Sequence, residues 1–405
     1  GTLQVFGGSR TSGKNGHSDI RIFSGSYRYI NGAGYNTSSS GNTNILLYGG
    51  GGAVYGGIHT GGVLTGSTNI IAYGGGFSIF GGNRYGQVTG DTHIKIYGGG
   101  HSVYGASHAG TGYVKNVNIE VYDPYGTTKL GEFCGGIYDG NSTSNRYPVQ
   151  EKINISIHGG TFGAIYGGGL NDWAEGSGPT VKSGVNLLIE NAEVNNDVYL
   201  GGKYGAVNGS STLTIRNSNI HGSVYGGGLG GKNNKGSTIS SNIYGNATIN
   251  IDENTIIDNN VYGGGNNRSN INSTAFVYFY GTAKNVYGSG KGSLTSVSQS
   301  NINIGDNAVI KENVYGGGDE GTTTASTLNI LGGVIGTEEN SGNIFGGGNN
   351  VGVNTSIVSL KNTPTITGNI YGGSNASGTT TTSTVNISGS VANSVYAGGK
   401  GENTT

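Results

Sequence analysis

One phrase, Val-Tyr-Gly-Gly in close variants, recurs along the whole chain and constrains the fold more than any other feature. Its aromatic residue falls at Phe6, Tyr55, Phe80, Tyr104, Tyr138, Tyr166, Tyr199, Tyr225, Tyr262, Tyr287, Tyr315, Phe345, Tyr371 and Tyr396, and Ile30 fits the one gap. The commonest spacings are 24 to 26 residues, and the exceptions are longer. Insertions into a fixed minimal unit produce that asymmetry, so the chain is a repeat array.

A second phrase, close to Ser-Thr-Asn-Ile-x-Ile, follows the aromatic residue by about 13 residues. It supplies alternating apolar pairs such as Ile45/Leu47 and Ile94/Ile96, and a β-branched residue almost always precedes the aromatic one. Period-two alternation bounded by Gly and Asn is a strand signal. A weaker apolar site precedes the Val-Tyr step in later repeats, at Ile220, Ile256, Ile335, Ile366 and Val391.

A unit of this length is too short to bury its own apolar face, so each unit must stack on its neighbours. No helical periodicity is present, and propeller blades need longer units. The sequence therefore predicts an all-β fold, a parallel β-helix or β-solenoid of about 15 coils of ~25 residues, with two or three short strands per coil. Right-handed coiling is the default for parallel crossovers. Residues 1–405 form one predicted repeat domain, with its Gly runs at corners where φ is positive or neighbouring backbones nearly touch.

Composition limits the function classes. Gly accounts for 85 of 405 residues, yet 26 Tyr and regularly placed Val and Ile distinguish the chain from a disordered one. The net charge is −1 with both signs scattered, which predicts no nucleic-acid partner. The apolar runs are far shorter than the roughly 20 residues that span a bilayer, so no membrane insertion is expected. The single Cys134 excludes a disulfide framework, and few charges with many Ser, Thr and Asn favour an extracellular location.

Repeats of the type Asn-Val-Tyr-Gly-Gly-Gly, at residues 260–265 and 313–318, carry a resemblance to known proteins. They resemble Gly-rich β-helix repeat arrays in large surface proteins of anaerobic, mostly Gram-positive bacteria, and the resemblance covers essentially the whole chain. It implies display at a cell surface and an adhesive or scaffolding role. The calcium-binding nonapeptide repeats and the paired-Asp motif of polygalacturonases are absent.

The aromatic column is open to two interpretations. If the β-branched residue points inward, the next residue points outward, and exposed aromatics in file would suit sugar rings or a flat partner. Alternatively, the rings stack on one another at a corner and shield the Gly turns, with their hydroxyls in solvent. The short file Thr43, Thr68 and Thr92 is the kind of array that a flat ice-binding surface presents, but the next coils break it with Val117 and Ile153.

Three predicted insertions, residues 123–136, 170–184 and 229–243, lengthen individual coils. The last two leave the same corner of the coil, and extensions of a repeat array commonly gather on a binding face. The candidate ligand-binding residues are Trp173, Asp172, Glu175, Tyr147, Tyr166 and Tyr225. Tolerated surface insertions are the competing interpretation.

No acid–base or nucleophile constellation is recognisable, so no catalytic residue and no cofactor are predicted and the chain is not expected to be an enzyme. His101 and His108 flank Tyr104 and His93 lies one coil earlier, which is a conceivable transition-metal site, but no metal is predicted.

The predicted function is an extracellular bacterial surface adhesin or structural stalk. The expected partners are a host surface or polysaccharide, or neighbouring copies end to end. The alternatives are a self-assembling filament subunit, a polysaccharide-binding module or a glycan-cleaving enzyme. Neither end shows a polar cap, which fits a piece of a longer surface protein or coils of one copy stacking on the next.

Overall fold

The structure is a computed structural model that describes residues 3–11, 16–109, 112–123, 126–139, 147–173, 179–389, 393–401 and 403–404. The described residues form no helix, and their strands wind into a parallel β-solenoid of about 14 turns of about 26 residues, which confirms the predicted fold. Contacts divide the chain into two compact units. The N-terminal unit comprises Gly1–Asn195, Gly202–Gly209 and Lys232–Ile239, and the C-terminal unit comprises Asn196–Gly201, Ser210–Gly231 and Ser240–Thr405.

Most strands are only two to six residues long. The first part of the chain contains β1 Leu3–Phe6, β2 Ser18–Ile22, β3 Ser26–Asn31, β4 Ser39–Ser40, β5 Thr43–Leu47, β6 Gly51–Tyr55, β7 Val63–Thr65, β8 Thr68–Ala72, β9 Gly76–Phe80, β10 Gln87–Val88, β11 Thr92–Ile96, β12 Ser102–Tyr104, β13 Val117–Tyr122, β14 Lys129–Cys134, β15 Ile153–His158, β16 Thr161–Tyr166, β17 Pro179–Val181, β18 Val185–Glu190, β19 Glu193–Val194, β20 Val198–Tyr199 and β21 Ala206–Val207. The remainder contains β22 Ser211–Arg216, β23 Asn219–Ile220, β24 Val224–Tyr225, β25 Gly231–Lys232, β26 Thr238–Ile239, β27 Ala247–Ile251, β28 Ile256–Ile257, β29 Val261–Tyr262, β30 Ile271–Phe279, β31 Thr282–Ala283, β32 Val286–Tyr287, β33 Ser296–Ile304, β34 Val309–Ile310, β35 Val314–Tyr315, β36 Thr322–Ile330, β37 Val334–Ile335, β38 Ile344–Phe345, β39 Val353–Leu360, β40 Thr365–Ile366, β41 Ile370–Tyr371, β42 Ser377–Gly378, β43 Thr382–Ile387, β44 Val395–Tyr396 and β45 Asn403–Thr404.

The Ile-x-Ile phrase forms one parallel sheet in each unit, which we call the Ile-x-Ile sheet. Its strands are β2, β5, β8, β11, β13, β15 and β18 in the N-terminal unit, and β22, β27, β30, β33, β36, β39 and β43 in the C-terminal unit. Register is kept, so Ile45 pairs with Ile70 and Ile70 with Ile94. These inward columns form the core, where each fully buried side chain contributes about 1.5–3 kcal/mol. Val277 and Phe279 form a further buried pair of the same columns, which the Ile-x-Ile phrase did not predict.

The Val-Tyr phrase forms short parallel strands whose register corrects the predicted column at one point. Val54 pairs with Ile79, and Tyr55 with Phe80. In β3, however, Ile30 pairs with Val5 and Val54, so it occupies the β-branched column, and Asn31 stands beside Phe6 and Tyr55.

The predicted insertion at residues 123–136 needs the same kind of correction. Its residues 129–134 form the regular strand β14, which pairs with β12 and β16. Cys134 stands in register between Tyr104 and Tyr166, in the position that sequence analysis gave to Tyr138. A cysteine in place of the aromatic residue concealed the repeat at this coil.

The third apolar site lies one residue later than expected in one coil. Ile257, not Ile256, stands in register with Ile220 and is buried, while Ile256 is exposed. The predicted site at Val391 lies outside the described residues.

The Gly that follows the aromatic residue is needed because backbones approach closely. A Cβ on Gly288 would collide with the carbonyl oxygen of Gly316 and with the side chain of Ser300 in the neighbouring strand. Buried hydroxyls line the same corner in the N-terminal unit, where Thr68 Oγ1 donates to the Gly81 carbonyl at 2.6 Å and Thr92 Oγ1 to that of Gly105 at 2.7 Å. Thr43, Thr68 and Thr92 are therefore inside the coil, and the ice-binding hypothesis is wrong.

Candidate functional site: a buried and an exposed aromatic file

The Val-Tyr column of the C-terminal unit is a continuous stack of rings, which we call the inner aromatic file. Successive ring centroids lie 4.6–5.0 Å apart and successive ring planes differ by no more than 10° along Tyr199, Tyr225, Tyr262, Tyr287, Tyr315, Phe345, Tyr371 and Tyr396. All but Tyr396 are buried, and Tyr225 and Tyr262 are each only 1% exposed. Burial raises the pKa of Tyr262 to about 12, so the phenol is neutral at physiological pH.

Hydroxyl groups of the inner aromatic file are held by neighbouring side chains. Tyr199 donates to Asp197 Oδ2 at 2.9 Å and accepts from the Asn266 amide at 3.2 Å. The Asn260 amide donates to the Tyr262 hydroxyl at 3.1 Å. The stacked interpretation of the column is therefore the one that the geometry supports, although hydrogen bonds within the protein, rather than solvent alone, satisfy these hydroxyls.

Two predicted ligand-binding residues belong to this buried column. Both ring faces of Tyr225 are covered, by Tyr199 and Tyr262, and Tyr166 is also buried. Their burial leaves little ring surface for a ligand, and their role in binding stays a prediction.

The inner column is interrupted in the N-terminal unit. Tyr55, Phe80 and Tyr104 stack at 5.0 and 4.8 Å, but the following strand supplies Cys134, whose thiol is fully buried and donates to the Gly168 carbonyl at 2.9 Å. Burial raises the pKa of the Cys134 thiol, so it is unsuited to nucleophilic chemistry. Tyr138 packs edge-on against Tyr104 instead of continuing the stack.

A cluster of histidine, arginine and tyrosine lies beside this interrupted column. Arg84 Nη1 is 2.8 Å from His59 Nε2, and the guanidinium lies 4.7 Å from the centre of the Tyr29 ring. His59 Nδ1 is 3.2 Å from Asn31 Oδ1. Because Arg84 can only donate, His59 Nε2 must accept and the imidazole is neutral. Burial first, then Arg84 and Arg28, lower the pKa of His59 to about 4.

The predicted site around Trp173 is partly assembled. Asp172 forms an ion pair with Lys203 at 3.0 Å, and its carbonyl accepts from the Asn234 backbone N–H at 2.9 Å. Trp173 is 47% exposed. The two enlarged loops therefore meet in the N-terminal unit, as their common corner predicted.

The remaining residues predicted for that site do not complete it. Tyr147 accepts a hydrogen bond from Asn208 at 3.1 Å, and the described residues show no contact between Tyr147 and Trp173. Glu175 lies outside the described residues.

A second file of rings, which sequence analysis missed, lies on the outside of the N-terminal unit. We call it the outer aromatic file; it comprises Phe23, Tyr48, Tyr73, Tyr97, Tyr122 and His158. Successive centroids are 5.0–5.6 Å apart and successive planes differ by 7–19°. Phe23 is 69% exposed and Tyr73 is 46% exposed, so these rings stack in solvent.

Local sequence explains the outer aromatic file. Each ring follows the second buried residue of an Ile-x-Ile pair, and alternation turns it outward. The Tyr73 backbone N–H donates to the Leu47 carbonyl at 2.8 Å, which continues the sheet ladder to the ring. The backbone then turns at glycine with positive φ, 103° at Gly50 and 94° at Gly75, where a side chain would be strained. A Tyr-Gly-Gly that follows Ile-x-Ile is the signal that could have revealed this file.

A column of amides parallels the outer aromatic file four residues away along each strand. Asn69 Nδ2 donates to Asn44 Oδ1 at 2.7 Å, and Asn186 Nδ2 donates to Asn154 Oδ1 at 2.9 Å. The column comprises Asp19, Asn44, Asn69, His93, Asn118, Asn154 and Asn186. We call the surface between this amide column and the outer aromatic file the outer sheet face.

Charges on the outer sheet face are paired with each other. Arg21 lies 3.3 Å from Asp19, Lys95 lies 3.0 Å from Glu120, and His158 lies 2.8 Å from Glu190. Partial burial raises the pKa of Glu120, but hydrogen bonds from Lys95 and Tyr122 and the charge of Lys95 together lower it further, so the pKa lies below its ordinary value. An open groove beside Asn118 and Asn154 also has both signs, from Asp91, Glu151, Lys152 and Lys182. The surface is therefore polar and aromatic without a dominant charge.

Among the described residues, no group of three or more His, Cys, Asp or Glu side chains is arranged to hold a metal ion. His101 is buried and lies 3.0 Å from the Gly98 carbonyl, whereas His108 packs against Phe80. The described part of the chain also has no helix with the length and apolar character of a membrane span. Comparison with protein-family models, curated proteins and solved structures finds no match to this chain.

Proposed function

We propose that this protein is an extracellular bacterial surface adhesin whose β-solenoid coils also serve as a structural stalk. The supporting observation is the outer sheet face, where an aromatic file is held in solvent by regular backbone hydrogen bonds. Exposed aromatic surface of this regularity is characteristic of an interaction site. The resemblance of the Gly-rich repeats to bacterial surface arrays supports the same proposal.

Adhesion is tested with the full chain coupled to beads. Retention under flow is measured on host-cell monolayers, on mucin and on immobilised polysaccharides, with albumin-coated beads as the reference. We expect retention above that reference on at least one surface, and weaker retention for beads carrying Tyr73→Ser/Tyr97→Ser. Retention equal to the albumin reference on every surface would contradict the proposal.

A further inference from the structure

We propose that the outer sheet face of the N-terminal unit binds a neutral, linear polysaccharide whose chain runs across successive strands, along the outer aromatic file. This inference rests on the proposed adhesive function and specifies its ligand. The face is repetitive, has no dominant charge, and keeps hydrogen-bonding groups available to a ligand.

Repetition is the first reason. The outer sheet face repeats a polar side chain and a ring in register over successive coils, as Asn44 and Asn69 show, with Tyr48 and Tyr73 following them. Successive strands in a sheet are about 4.8 Å apart, so identical groups recur at that interval. A globular partner presents no such recurrence along one direction, whereas an extended chain of identical sugars does. A periodic surface therefore favours a periodic ligand.

Charge selects among periodic ligands. Nucleic acids and acidic polysaccharides carry a charge at regular intervals and require a matching excess of Lys and Arg. Lys95 is neutralised by Glu120 at 3.0 Å, and Arg21 lies 3.3 Å from Asp19. The face offers no row of unmatched cations among its described residues. A neutral chain is the ligand that this charge distribution suits.

One further side chain per strand lies between the amide column and the outer aromatic file. Asn44 and Tyr48 are four residues apart on an extended strand, which separates amide and ring by roughly 13 Å. Leu46 and Ile71 project between these columns and are partly exposed. A sugar chain over these two strands would contact Leu46, Ile71 and the ring edges with its C–H groups, since the ring faces are already stacked on one another.

Hydrogen-bonding capacity remains in both the amide column and the outer aromatic file. A primary amide has two N–H donors and a carbonyl oxygen with two lone pairs. The amide ladder uses one donor and one lone pair of Asn44, through Asp19 and Asn69, so one donor and one lone pair remain. In the outer aromatic file, the rings of Tyr48, Tyr73 and Tyr97 are exposed, so their hydroxyls can both donate to and accept from sugar hydroxyls.

The experiment measures retention of the full chain on microcrystalline cellulose, on insoluble β-1,3-glucan and on β-1,4-mannan, with soluble alginate and heparin as acidic competitors. We expect saturable binding to at least one neutral glycan that neither raised salt nor the acidic competitors reduce. The variant Tyr48→Ser/Tyr73→Ser/Tyr97→Ser should weaken that binding by at least about tenfold, because it removes three central contacts.

A matched control uses the C-terminal unit. Tyr280 directly follows β30 at the position equivalent to Tyr48 and Tyr73, and Tyr278 lies two residues earlier. Both are exposed, but they belong to no aromatic file among the described residues. The variant Tyr278→Ser/Tyr280→Ser should bind glycan as the unaltered chain does. Urea midpoints of all proteins establish that both variants are folded.

Three results would overturn the inference. One is the absence of binding to every neutral glycan, and another is equal loss of binding in the control variant. The third is self-association that the triple variant abolishes while no glycan binds, which would assign the face to a second copy of the chain. If beads still adhere to cells in any of these cases, the adhesive function stands and only its ligand is wrong.

Discussion

The two units of this chain place the same ring-stacking geometry in opposite environments, one buried and one exposed to solvent. In the C-terminal unit, Tyr225 and Tyr262 stack at 5.0 Å inside the protein, whereas in the N-terminal unit Tyr48 and Tyr73 stack at 5.1 Å in solvent. Ring spacing and angle do not distinguish them. Burial does, because a covered file stabilises the coil and an open file leaves its ring edges and hydroxyls available to a partner.

The largest difference in stability should come from removing one ring from the buried file and one from the exposed file. Tyr262→Ala leaves a cavity between Tyr225 and Tyr287 and should lower the free energy of unfolding by about 3–5 kcal/mol. Tyr73→Ala, in the exposed file, should lower it by about 1 kcal/mol or less. Urea denaturation monitored by circular dichroism measures both. Equal losses would show that burial does not distinguish the two files.

Substituting a glycine at a coil corner should cause a smaller loss of folding stability. Gly288→Ala forces a methyl group against the Gly316 carbonyl and should destabilise the C-terminal unit by about 1–3 kcal/mol. Gly131 has only the Ser102 hydroxyl oxygen near an added Cβ, at 3.9 Å, so Gly131→Ala should change stability by no more than about 0.5 kcal/mol. If both variants behave alike, the close approach of neighbouring coils is not what requires glycine.

Amide columns provide the third comparison. Asn343 is buried in the C-terminal unit, accepts from the Asn369 backbone N–H at 2.9 Å and donates to Asn313 at 3.1 Å. Asn343→Ala leaves a backbone donor without its partner and should lower unfolding free energy by about 1 kcal/mol. Asn69→Ala, on the outer sheet face, should lower it by less than about 0.5 kcal/mol. The same urea measurements compare Asn343→Ala with Asn69→Ala. A larger loss for Asn69→Ala would contradict the distinction between the buried and the exposed amide column.

Acid should weaken the N-terminal unit gradually and the C-terminal unit less. His59 and His108 each have a pKa lowered to about 4, by burial first and by Arg84 second. Unfolding restores the ordinary value near 6.5, so the unfolded chain binds more protons and stability falls as pH drops from about 6.5 towards 4. The only histidine of the C-terminal unit, His221, is exposed.

Hydrogen exchange of the full chain at pH 7, 5.5 and 4.5 locates that weakening, because protection reports local stability. The variant His59→Gln keeps an acceptor for Arg84 and should retain more protection at pH 4.5 than the unaltered chain does. Equal loss of protection in both units would assign the acid response to groups other than these histidines.

Sequence periodicity was sufficient to predict the coil, because strand alternation and stacking act through every repeat. It failed where a residue type departed from the repeat, as Cys134 does in the aromatic column and Ile257 does in the third apolar column. In both cases the register of backbone hydrogen bonds, which a single sequence does not display, decides which residue faces inward.

The candidate site was less accessible to sequence reasoning. Alternation alone places Tyr55 outward from its strand, yet the structure buries it to 3% exposure, whereas Tyr73 remains open. The difference arises from which neighbouring segments cover each corner, and the repeat phrase contains no information on that. Trp173 is exposed beside Asp172, which bonds to Asn234 of the other enlarged loop, and its ligand role stays a prediction.

The glycine corner has a consequence for how such a chain can change over generations. Gly288 meets the carbonyl of Gly316, and Gly316 meets that of Gly346, so each coil presents to the next the surface that it receives from the one before. Duplication or loss of one whole coil in the gene then recreates an existing junction instead of creating an unfamiliar one. Unequal recombination can thus lengthen or shorten the array in unit steps, and selection can act on coil number as a trait separate from sequence.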